Sequence, residues 1–346
     1  MKKCGKKSNL GYALNYLIRK YINQKKFLPI WATITLTTRC NLSCDYCYFS
    51  QDKNAAQDID IVLVKEIVNW LHKNGCRGIA LFGGEPTLLG DKLIDIVQFA
   101  AGKGMYIYFS TNGLLLARDQ NFLEDICKGG VSVIAYAVDC VDPIYGMPKK
   151  LDYQLLKNLI IMRKKYGIRL QFNTIITKSN VQEIYKLVEI GKINKIPITS
   201  RLFSTHLLDH ITNGNYDPQL FTFNTEKSLV ELDKLIANLI ELKKSNPLIT
   251  DSRESLMRIP KIARGIEVPF DCPAGKYTLN FNTQGNIYSC VDEMIKGHCF
   301  HQDLKEDQIF DENVLKQTIK KCSALCTACA ELQTSQGVKH PLKFLF

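Results

Sequence analysis

The sequence predicts an α/β fold in which six strands alternate with helices and pair in parallel. Short apolar runs rich in β-branched residues, the pattern of buried strands, alternate with longer segments that repeat apolar residues at helical spacing. Strands separated by helices of this length must pair in parallel, through right-handed connections. The predicted strands are 31–37, 78–82, 105–109, 131–138, 168–176 and 197–203, and the predicted helices between them are 61–73, 91–102, 119–128, 152–166 and 180–192.

Length and composition fit one large domain, or a barrel with a small second domain. Hydrophobic residues make up 46% of the 346-residue chain, which is enough for a buried core. The 13 cysteines occur in clustered spacings, which indicates metal binding in a reducing compartment rather than disulfides. We therefore expect the protein in the cytoplasm.

The formal net charge of +11 leaves an anionic substrate, a nucleic acid or a membrane surface open as partners. The lysines are spread along the chain, which favours solvated helix faces, and no RNA-binding module is recognisable. No apolar run reaches the roughly 18 residues of a membrane helix. Residues 1–27 predict an amphipathic helix that packs against the barrel, the alternative being a peripheral contact with a membrane.

After the sixth predicted strand the alternation stops. Residues 206–267 begin with a polar loop that contains His206 and His210, and continue with predicted helices over 225–244 and 251–264. Two histidines four residues apart are a weak metal signal without further ligands. We expect this region to be a helical bridge to the C-terminal part of the chain.

Three cysteines after the first predicted strand carry the strongest chemical signal. Cys40, Cys44 and Cys47 have the spacing Cys-x3-Cys-x2-Cys. Three thiolates can hold a four-iron cluster and leave its fourth iron open to a ligand that is not protein. A structural zinc site is the alternative, but closed zinc sites usually have a fourth Cys or His close by, and His72 falls in a predicted helix.

A second motif follows in the order that a known family shows. Gly83-Gly84-Glu85-Pro86 comes directly after the apolar run 78–82, and Tyr46 is an aromatic residue just before the third cysteine. A Gly-Gly pair alone would indicate an ordinary turn. With both motifs in order, the chain resembles the radical S-adenosylmethionine (SAM) enzymes.

The resemblance implies an open, partial (β/α)6 TIM-like barrel over residues 28–205, with the chemistry at the carboxyl ends of its strands. It implies that a 4Fe-4S cluster on the three cysteines binds SAM and cleaves it to methionine and a 5'-deoxyadenosyl radical, with an electron from a flavodoxin- or ferredoxin-like donor. Glu85 is expected to accept hydrogen bonds from the SAM ammonium, and the backbone at Tyr46 to contact the adenine. The implied cofactor-binding residues are Tyr46, Gly83, Gly84, Glu85, Pro86, Ser110, Asn112 and Asn173.

Polar residues at the other strand ends complete the candidate site. In the family, positions such as those of Ser110, Asn112 and Asn173 contact SAM, although Thr111-Asn112-Gly113 is also a good turn without any ligand. Asp139 is expected to contact SAM or substrate. Cys140 is a candidate to quench a substrate radical, the alternative being a small buried residue. Asp139 and Cys140 are therefore the candidate catalytic residues.

The C-terminal region contains a second set of cysteines. A predicted hairpin, with its turn at 283–286, brings Cys272 and Cys290 together, and a late Cys-x2-Cys pair adds Cys326 and Cys329. Four thiolates suffice for a second 4Fe-4S cluster, and a zinc-stabilised hairpin is the alternative. The arrangement resembles the twitch domain, the short form of the SPASM extension, over residues 268–346. Cys299 and Cys322 are alternative ligands.

The sequence thus predicts a radical SAM oxidoreductase or maturase that acts on a peptide or a small metabolite. By the resemblance, the second cluster accepts the electron left on the substrate, which makes the net reaction an oxidation. Two rival hypotheses stay open. One is a radical SAM enzyme that acts on lipid or tRNA, and the other is a non-catalytic iron-sulfur electron carrier, to which the glycine-rich motif would be useless.

Overall fold

A computed structural model of the chain describes residues 29–47, 56–203, 217–245, 247–269, 272 and 274–295. The predicted N-terminal helix, the loop with His206 and His210, and the cysteines at 299, 322, 326 and 329 lie outside the described residues. The domain boundaries drawn from the sequence therefore stay predictions.

The predicted α/β fold with a parallel sheet is confirmed. The described strands are β1 (Trp31–Thr37), β2 (Gly78–Gly83), β3 (Tyr106–Thr111), β4 (Val133–Ala137), β5 (Arg169–Ile176), β6 (Ile198–Leu202), β7 (Thr278–Phe281) and β8 (Ile287–Tyr288). They form one sheet in the order β6-β5-β4-β3-β2-β1-β7-β8. From β6 to β7 every pair is parallel, and only β8 runs against its neighbour.

Helices follow the strands as predicted. The described helices are α1 (Ile61–Lys73), α2 (Asp91–Gly102), α3 (Leu114–Arg118), α4 (Gln120–Gly129), α5 (Tyr153–Tyr166), α6 (Val181–Asn194), α7 (Pro218–Phe221), α8 (Glu226–Ser245), α9 (Arg253–Ala263) and α10 (Val291–Ile295). The helix predicted at 119–128 is preceded by a separate short one, α3. Asp119 divides the two, because its backbone is extended and its side chain accepts a hydrogen bond from Phe122 N at the start of α4. None of the described helices is long and apolar enough to cross a membrane.

The two faces of the sheet differ in burial. On β3, Ile107 and Phe109 are fully buried in the main hydrophobic core, whereas Tyr106 and Tyr108 are partly exposed. The same alternation occurs on β5, where Leu170 is buried and its neighbours are not. At β3 and β5, one face is therefore covered by helices, and the other, which we call the open face, is partly exposed.

The open face is concave at β4. The side chain of Tyr108 on β3 reaches Asn173 on β5, with Asn173 Nδ2 2.7 Å from Tyr108 Oη. The two strands are not neighbours, because β4 lies between them, with Val133 opposite Tyr108 and Ala137 opposite Asn173. The small side chain of Ala137 leaves space on β4 in which the side chains of Tyr108 and Asn173 meet.

The C-terminal hairpin is part of the main sheet. Its strands β7 and β8 pair antiparallel as predicted, with Asn280 opposite Tyr288. In addition, β7 pairs in parallel with β1, from Trp31 opposite Thr278 to Ile34 opposite Phe281. The sequence predicted the hairpin within a separate cluster-binding region. Its apolar face instead extends the barrel core, where Leu279 and Phe281 are fully buried.

The two predicted bridging helices are present as α8 and α9. The segment between them joins the edge strand β6, because Ser200 N donates to Asp251 Oδ2 at 2.7 Å and Thr250 N donates to Ile198 O at 3.0 Å. The segment between the two helices therefore lies along β6 at one edge of the sheet, while β8 of the hairpin is the strand at the other edge.

Candidate active site

The loop with the three cysteines begins where β1 ends, and its root is fixed by one carboxylate. Asp58 accepts hydrogen bonds from Thr37 Oγ1 at 2.6 Å and from the Arg39 guanidinium at 2.6 and 2.8 Å. The guanidinium and the hydroxyl hold the pKa of Asp58 below its usual range, and Arg39 contributes most to this. The loop therefore leaves the sheet in a defined direction.

The Gly-Gly-Glu-Pro motif lies directly against this loop. Gly84 N donates to Thr37 O, and Glu85 N donates to Arg39 O, both at 2.8 Å. We call these two hydrogen bonds, with the four residues that form them, the motif seam. They join the carboxyl end of β1 to that of β2, and with it the cysteine loop to the glycine motif.

The motif seam requires both glycines. A Cβ atom at Gly84 would lie 2.0 Å from Arg39 O, and one at Gly83, whose φ is +143°, would lie 2.3 Å from Thr37 O. No side chain fits at such distances, because the obstacle is backbone that cannot rotate away. Pro86 then begins a 3-10 turn, Pro86–Leu89, that turns the chain back towards the sheet.

Glu85 is buried and fully engaged with the protein. Its Oε1 accepts from Thr87 N at 3.1 Å, Thr87 Oγ1 at 2.6 Å and Thr111 Oγ1 at 2.8 Å, and its Oε2 accepts from Asn112 N at 2.7 Å. Burial raises the pKa of this carboxyl, and the hydrogen bonds from Thr87, Asn112 and Thr111 oppose the rise. Glu85 thus ties the end of β2 to the end of β3.

Asn112 extends the connection back to the cysteine loop. Its Nδ2 donates to Asn41 Oδ1 at 2.8 Å and lies 3.9 Å from Cys40 Sγ, while its Oδ1 accepts from Leu114 N at 3.0 Å. The turn chemistry that the sequence suggested is therefore present, and the same side chain also contacts the metal-binding loop. Asn112 is therefore a predicted SAM residue that lies beside a candidate cluster ligand, Cys40.

The donor set fits a four-iron cluster. Cys44 is buried, and Cys40 and Cys47 are half-buried, and all three are free thiols. Burial raises the pKa of Cys44 to about 12 and also raises that of Cys40, and charge on Cys47 raises both further. Among the described residues, no three Cys, His, Asp or Glu side chains are grouped to hold a single metal ion.

Tyr46 connects the cysteine loop to the carboxyl end of β4. Its hydroxyl donates to Asp139 Oδ2 at 2.5 Å, and Asp139 Oδ1 accepts from Ile175 N at 2.7 Å. The Tyr46 ring packs on Phe221 at a centroid distance of 5.5 Å, and the Lys149 ammonium lies 5.2 Å from the centroid of the same Tyr46 ring. We call Tyr46, Asp139 and Lys149 the cluster-loop triad.

The other predicted strand-end residues lie in different surroundings. Ser110 is half-buried on β3, and its hydroxyl has no hydrogen-bond partner in the part of the chain that is described. Asn173 is engaged, because its amide joins Tyr108 and Gln171. Cys140 is fully buried, with its sulfur near the carbonyl oxygens of Met147 and Lys149. A role for Cys140 as radical quencher stays a prediction, and its burial favours the structural alternative.

Asn173 belongs to a chain of side chains on the open face. Gln171 Nε2 lies 2.9 Å from Asn173 Oδ1, 2.8 Å from Thr199 Oγ1 and 3.3 Å from Tyr108 Oη. We call Tyr108, Gln171, Asn173 and Thr199 the polar ladder. It spans β3 to β6 and contains no charged side chain.

Two of the four predicted ligands of the second cluster are described. Cys272 and Cys290 are half-buried free thiols, and Cys290 Sγ accepts from Glu293 N at 3.5 Å directly after the hairpin. Cys326 and Cys329 lie outside the described residues, so the ligand set of the second cluster stays a prediction.

Comparison with known proteins matches the part of the chain that contains the motif seam. A model of the radical SAM superfamily matches residues 34–190, which run from β1 through most of α6. These residues form a radical SAM domain.

Proteins that resemble this radical SAM domain include enzymes of cofactor synthesis. The Fe-coproporphyrin III synthase of Methanosarcina barkeri is 29% identical over 185 residues, which are 51% of this chain and 44% of that protein. The chain spans about half the length of the curated relatives it matches.

Solved structures match the radical SAM domain together with the region after it. Streptococcus suis SuiB bound to its precursor peptide SuiA gives a TM-score of 0.64 at 16% identity, covering 92% of this chain and 75% of SuiB. anSMEcpe with bound AdoMet and a Cp18Cys peptide gives 0.60 at 17% identity, covering 91% of this chain and 96% of anSMEcpe. At these identities the likeness is one of fold.

Sequence reasoning missed two contributors to the radical SAM site. Thr111 is a polar residue at the end of the third strand that was not among the predicted site residues, and it donates to Glu85. Lys149 lies in a segment without periodicity or motif, so no signal in the sequence indicated that it approaches the cysteines.

Proposed function

We propose that the chain is a radical SAM oxidoreductase or maturase that acts on a peptide or a small metabolite. The observation that carries the proposal is the motif seam, which fixes a three-cysteine loop beside the glycine motif at the carboxyl ends of β1 and β2. A carrier of electrons needs the cysteines but has no use for the second motif.

When bound, a 4Fe-4S cluster and SAM supply one-electron cleavage of SAM and a 5'-deoxyadenosyl radical that abstracts hydrogen from substrate. Cys40, Cys44 and Cys47 would hold the cluster as thiolates. Because burial raises the pKa of Cys40 and Cys44, cluster assembly must displace their protons.

The protein's own task is positioning. Glu85 Oε1 already accepts three hydrogen bonds and Oε2 one, so the SAM ammonium would reach this carboxylate only at Oε2. We therefore assign Glu85 mainly to orienting Asn112 and Thr87. The unpaired hydroxyl of Ser110, among the described residues, is a stronger candidate for contact with SAM.

The open face of the sheet is the proposed site of the substrate. Tyr108, Ser110 and Asn173 are partly exposed on that face, whereas their neighbours in sequence are buried. Enclosure by a concave face keeps water away from a radical and holds one C–H bond near it. Peptide substrates are supported by the peptide-bound structures of SuiB and anSMEcpe, and small metabolites by the cofactor-synthesis relative.

A second 4Fe-4S cluster on Cys272, Cys290, Cys326 and Cys329 would accept the substrate electron. The proposal is supported by Cys272 and Cys290, neither of which forms a disulfide, and the absence of disulfides among the eight described cysteines suits a reducing cytoplasm. A flavodoxin- or ferredoxin-like protein is the proposed electron donor. No specific observation on the described residues favours lipid or tRNA as the substrate.

The first experiment uses the full chain, reconstituted anaerobically with iron and sulfide. We expect about eight irons per chain, and 5'-deoxyadenosine from SAM with a strong reductant. A variant in which Cys40, Cys44 and Cys47 are all alanine should keep about four irons and form no deoxyadenosine. As a control, Cys127→Ala removes a buried thiol of α4 far from both sets and should retain the full iron content.

The outcome separates the rival functions. Zinc in place of iron would contradict the radical mechanism, and so would a fully iron-loaded wild-type chain that forms no deoxyadenosine. A Cys272→Ala, Cys290→Ala variant tests the second cluster alone. It should lose about four irons while still cleaving SAM.

A further inference from the structure

Lys149 is an ammonium group held close to all three cluster cysteines. Burial lowers the pKa of Lys149, but charge on Asp139, Cys44, Cys47 and Cys40 raises it above its usual value. Lys149 in turn lowers the pKa of Cys40 and Cys44, against the effect of burial. Its side chain is 19% exposed, and its Nζ lies 3.7 Å from Asp139 Oδ2. It is thus a largely buried positive charge at the site, although no sequence motif contains it.

Backbone hydrogen bonds in the loop after β4 fix the position of Lys149. The loop after β4 folds back so that Lys149 O accepts from Asp139 N at 2.8 Å, and Cys140 forms a bridge with Lys150. Leu151 N in turn donates to Cys140 O at 2.8 Å. These contacts point the Lys149 side chain towards the Tyr46 ring and the cysteine loop.

The described residues do not fully neutralise the Lys149 ammonium. Its ion pair with Asp139 is longer than a hydrogen bond, and among the residues that the structure describes it donates to no acceptor. Asp139, by contrast, already accepts from Tyr46 and Ile175. Its carboxylate therefore neutralises Lys149 only in part.

We propose that Lys149 is a positioning residue that sets the electrostatic potential at the cluster, held in place by Asp139 and Tyr46. This inference rests on the proposed function. A cluster that takes up one electron becomes more negative by one charge, so a fixed cation beside it stabilises the reduced form. The effect is large because charges in a partly desolvated site are weakly screened. In the step concerned, one electron passes from the external reductant to the cluster, and no bond forms or breaks.

The test is a redox titration of the anaerobically reconstituted full chain, followed by the paramagnetic signal of the reduced cluster. Loss of the signal in Cys40→Ala assigns it to this loop. Lys149→Met should shift the midpoint to more negative potential, with at least a tenfold change in the ratio of reduced to oxidised cluster, which is about 59 mV for one electron. Asp139→Asn should shift it in the opposite direction, because it removes a negative charge. Lys150→Met, at the exposed neighbouring lysine, should leave the midpoint unchanged.

Tyr46→Phe separates charge from structure. It removes the hydroxyl that binds Asp139 but changes no formal charge, so its midpoint should stay close to that of the wild type. A loosened cysteine loop would instead shift Lys149→Met, Asp139→Asn and Tyr46→Phe in the same direction, and that result would overturn the proposal. Lys149→Gln gives the same comparison if Lys149→Met does not fold.

Different results would overturn the proposed function and the role of Lys149. A wild-type chain that binds zinc instead of iron overturns the proposed function and this inference together. An iron-loaded chain that cleaves SAM, but whose midpoint is the same in Lys149→Met and Lys150→Met, overturns only the role of Lys149.

Discussion

The motif seam and the polar ladder belong to the same sheet but are built differently. In the motif seam, peptide groups of β1 and β2 bond to each other, and two glycines allow the approach. In the polar ladder, the contacts run between the ends of side chains, from Tyr108 to Thr199. The first arrangement tolerates almost no substitution, whereas the second can change residue by residue.

The difference matches the proposed division of labour. Cluster and SAM are the same in every turnover, so the residues that hold them can be fixed by backbone geometry. A substrate surface must fit one particular molecule, and side chains of moderate size on a concave face provide that fit. Predictions for the two regions therefore differ in size.

The largest effect is expected for Gly84→Ala. The added methyl group would lie 2.0 Å from Arg39 O, so the cysteine loop must move. We expect the free energy of unfolding to fall by about 3 kcal/mol, the upper range for overpacking, and iron binding at Cys40, Cys44 and Cys47 to be lost. Chemical denaturation and iron analysis measure the two effects.

Gly102→Ala is the matched control, because a Cβ atom added there, at the end of α2, would have no neighbouring atom within 4 Å. It should leave iron binding unchanged and stabilise the fold by at most about 1 kcal/mol. If Gly84→Ala behaved like Gly102→Ala, the close contact of the motif seam would be wrong.

A smaller effect is expected for Glu85→Gln. Two backbone donors, Thr87 N and Asn112 N, point at different oxygens of the carboxylate, and an amide can accept from only one of them. We expect a loss of about 2 kcal/mol in the free energy of unfolding, within the range for hydrogen bonds to a charged group. SAM affinity should fall as Asn112 shifts. Glu66→Gln, on the exposed side of α1, should change neither.

The sequence correctly predicted the strands and the glycine motif, which depend on local backbone conformation. The β-branched runs located β1 to β6 to within three residues at each end, and the two motifs located the motif seam, because only glycine fits at Gly83 and Gly84. Spacing alone placed Cys40, Cys44 and Cys47 on one loop after β1.

The sequence did not predict contacts between residues that are far apart along the chain. The approach of Lys149 depends on how the loop after β4 folds back, and no local pattern encodes that path. The pairing of β7 with β1 joins residues about 250 positions apart in sequence, for which a hairpin pattern gives no partner. Asn173 was assigned to SAM as a polar residue within the fifth predicted strand, while its bond to Tyr108 across β4 depends on the curvature of the sheet.

The smallest effect is expected for Tyr108→Phe, which tests whether the polar ladder is separate from the SAM site. The change removes one hydroxyl that Asn173 and Gln171 share, at a cost of about 1 kcal/mol in the free energy of unfolding. Iron content and SAM affinity, measured by equilibrium dialysis, should match the wild type, as they should for Tyr145→Phe at an exposed position. If Tyr108→Phe weakened SAM binding while Tyr145→Phe did not, Asn173 and the polar ladder would belong to the cofactor site. The open face would then hold SAM deeper than the motif seam implies, and the substrate would have to bind nearer the rim, beside the cluster-loop triad.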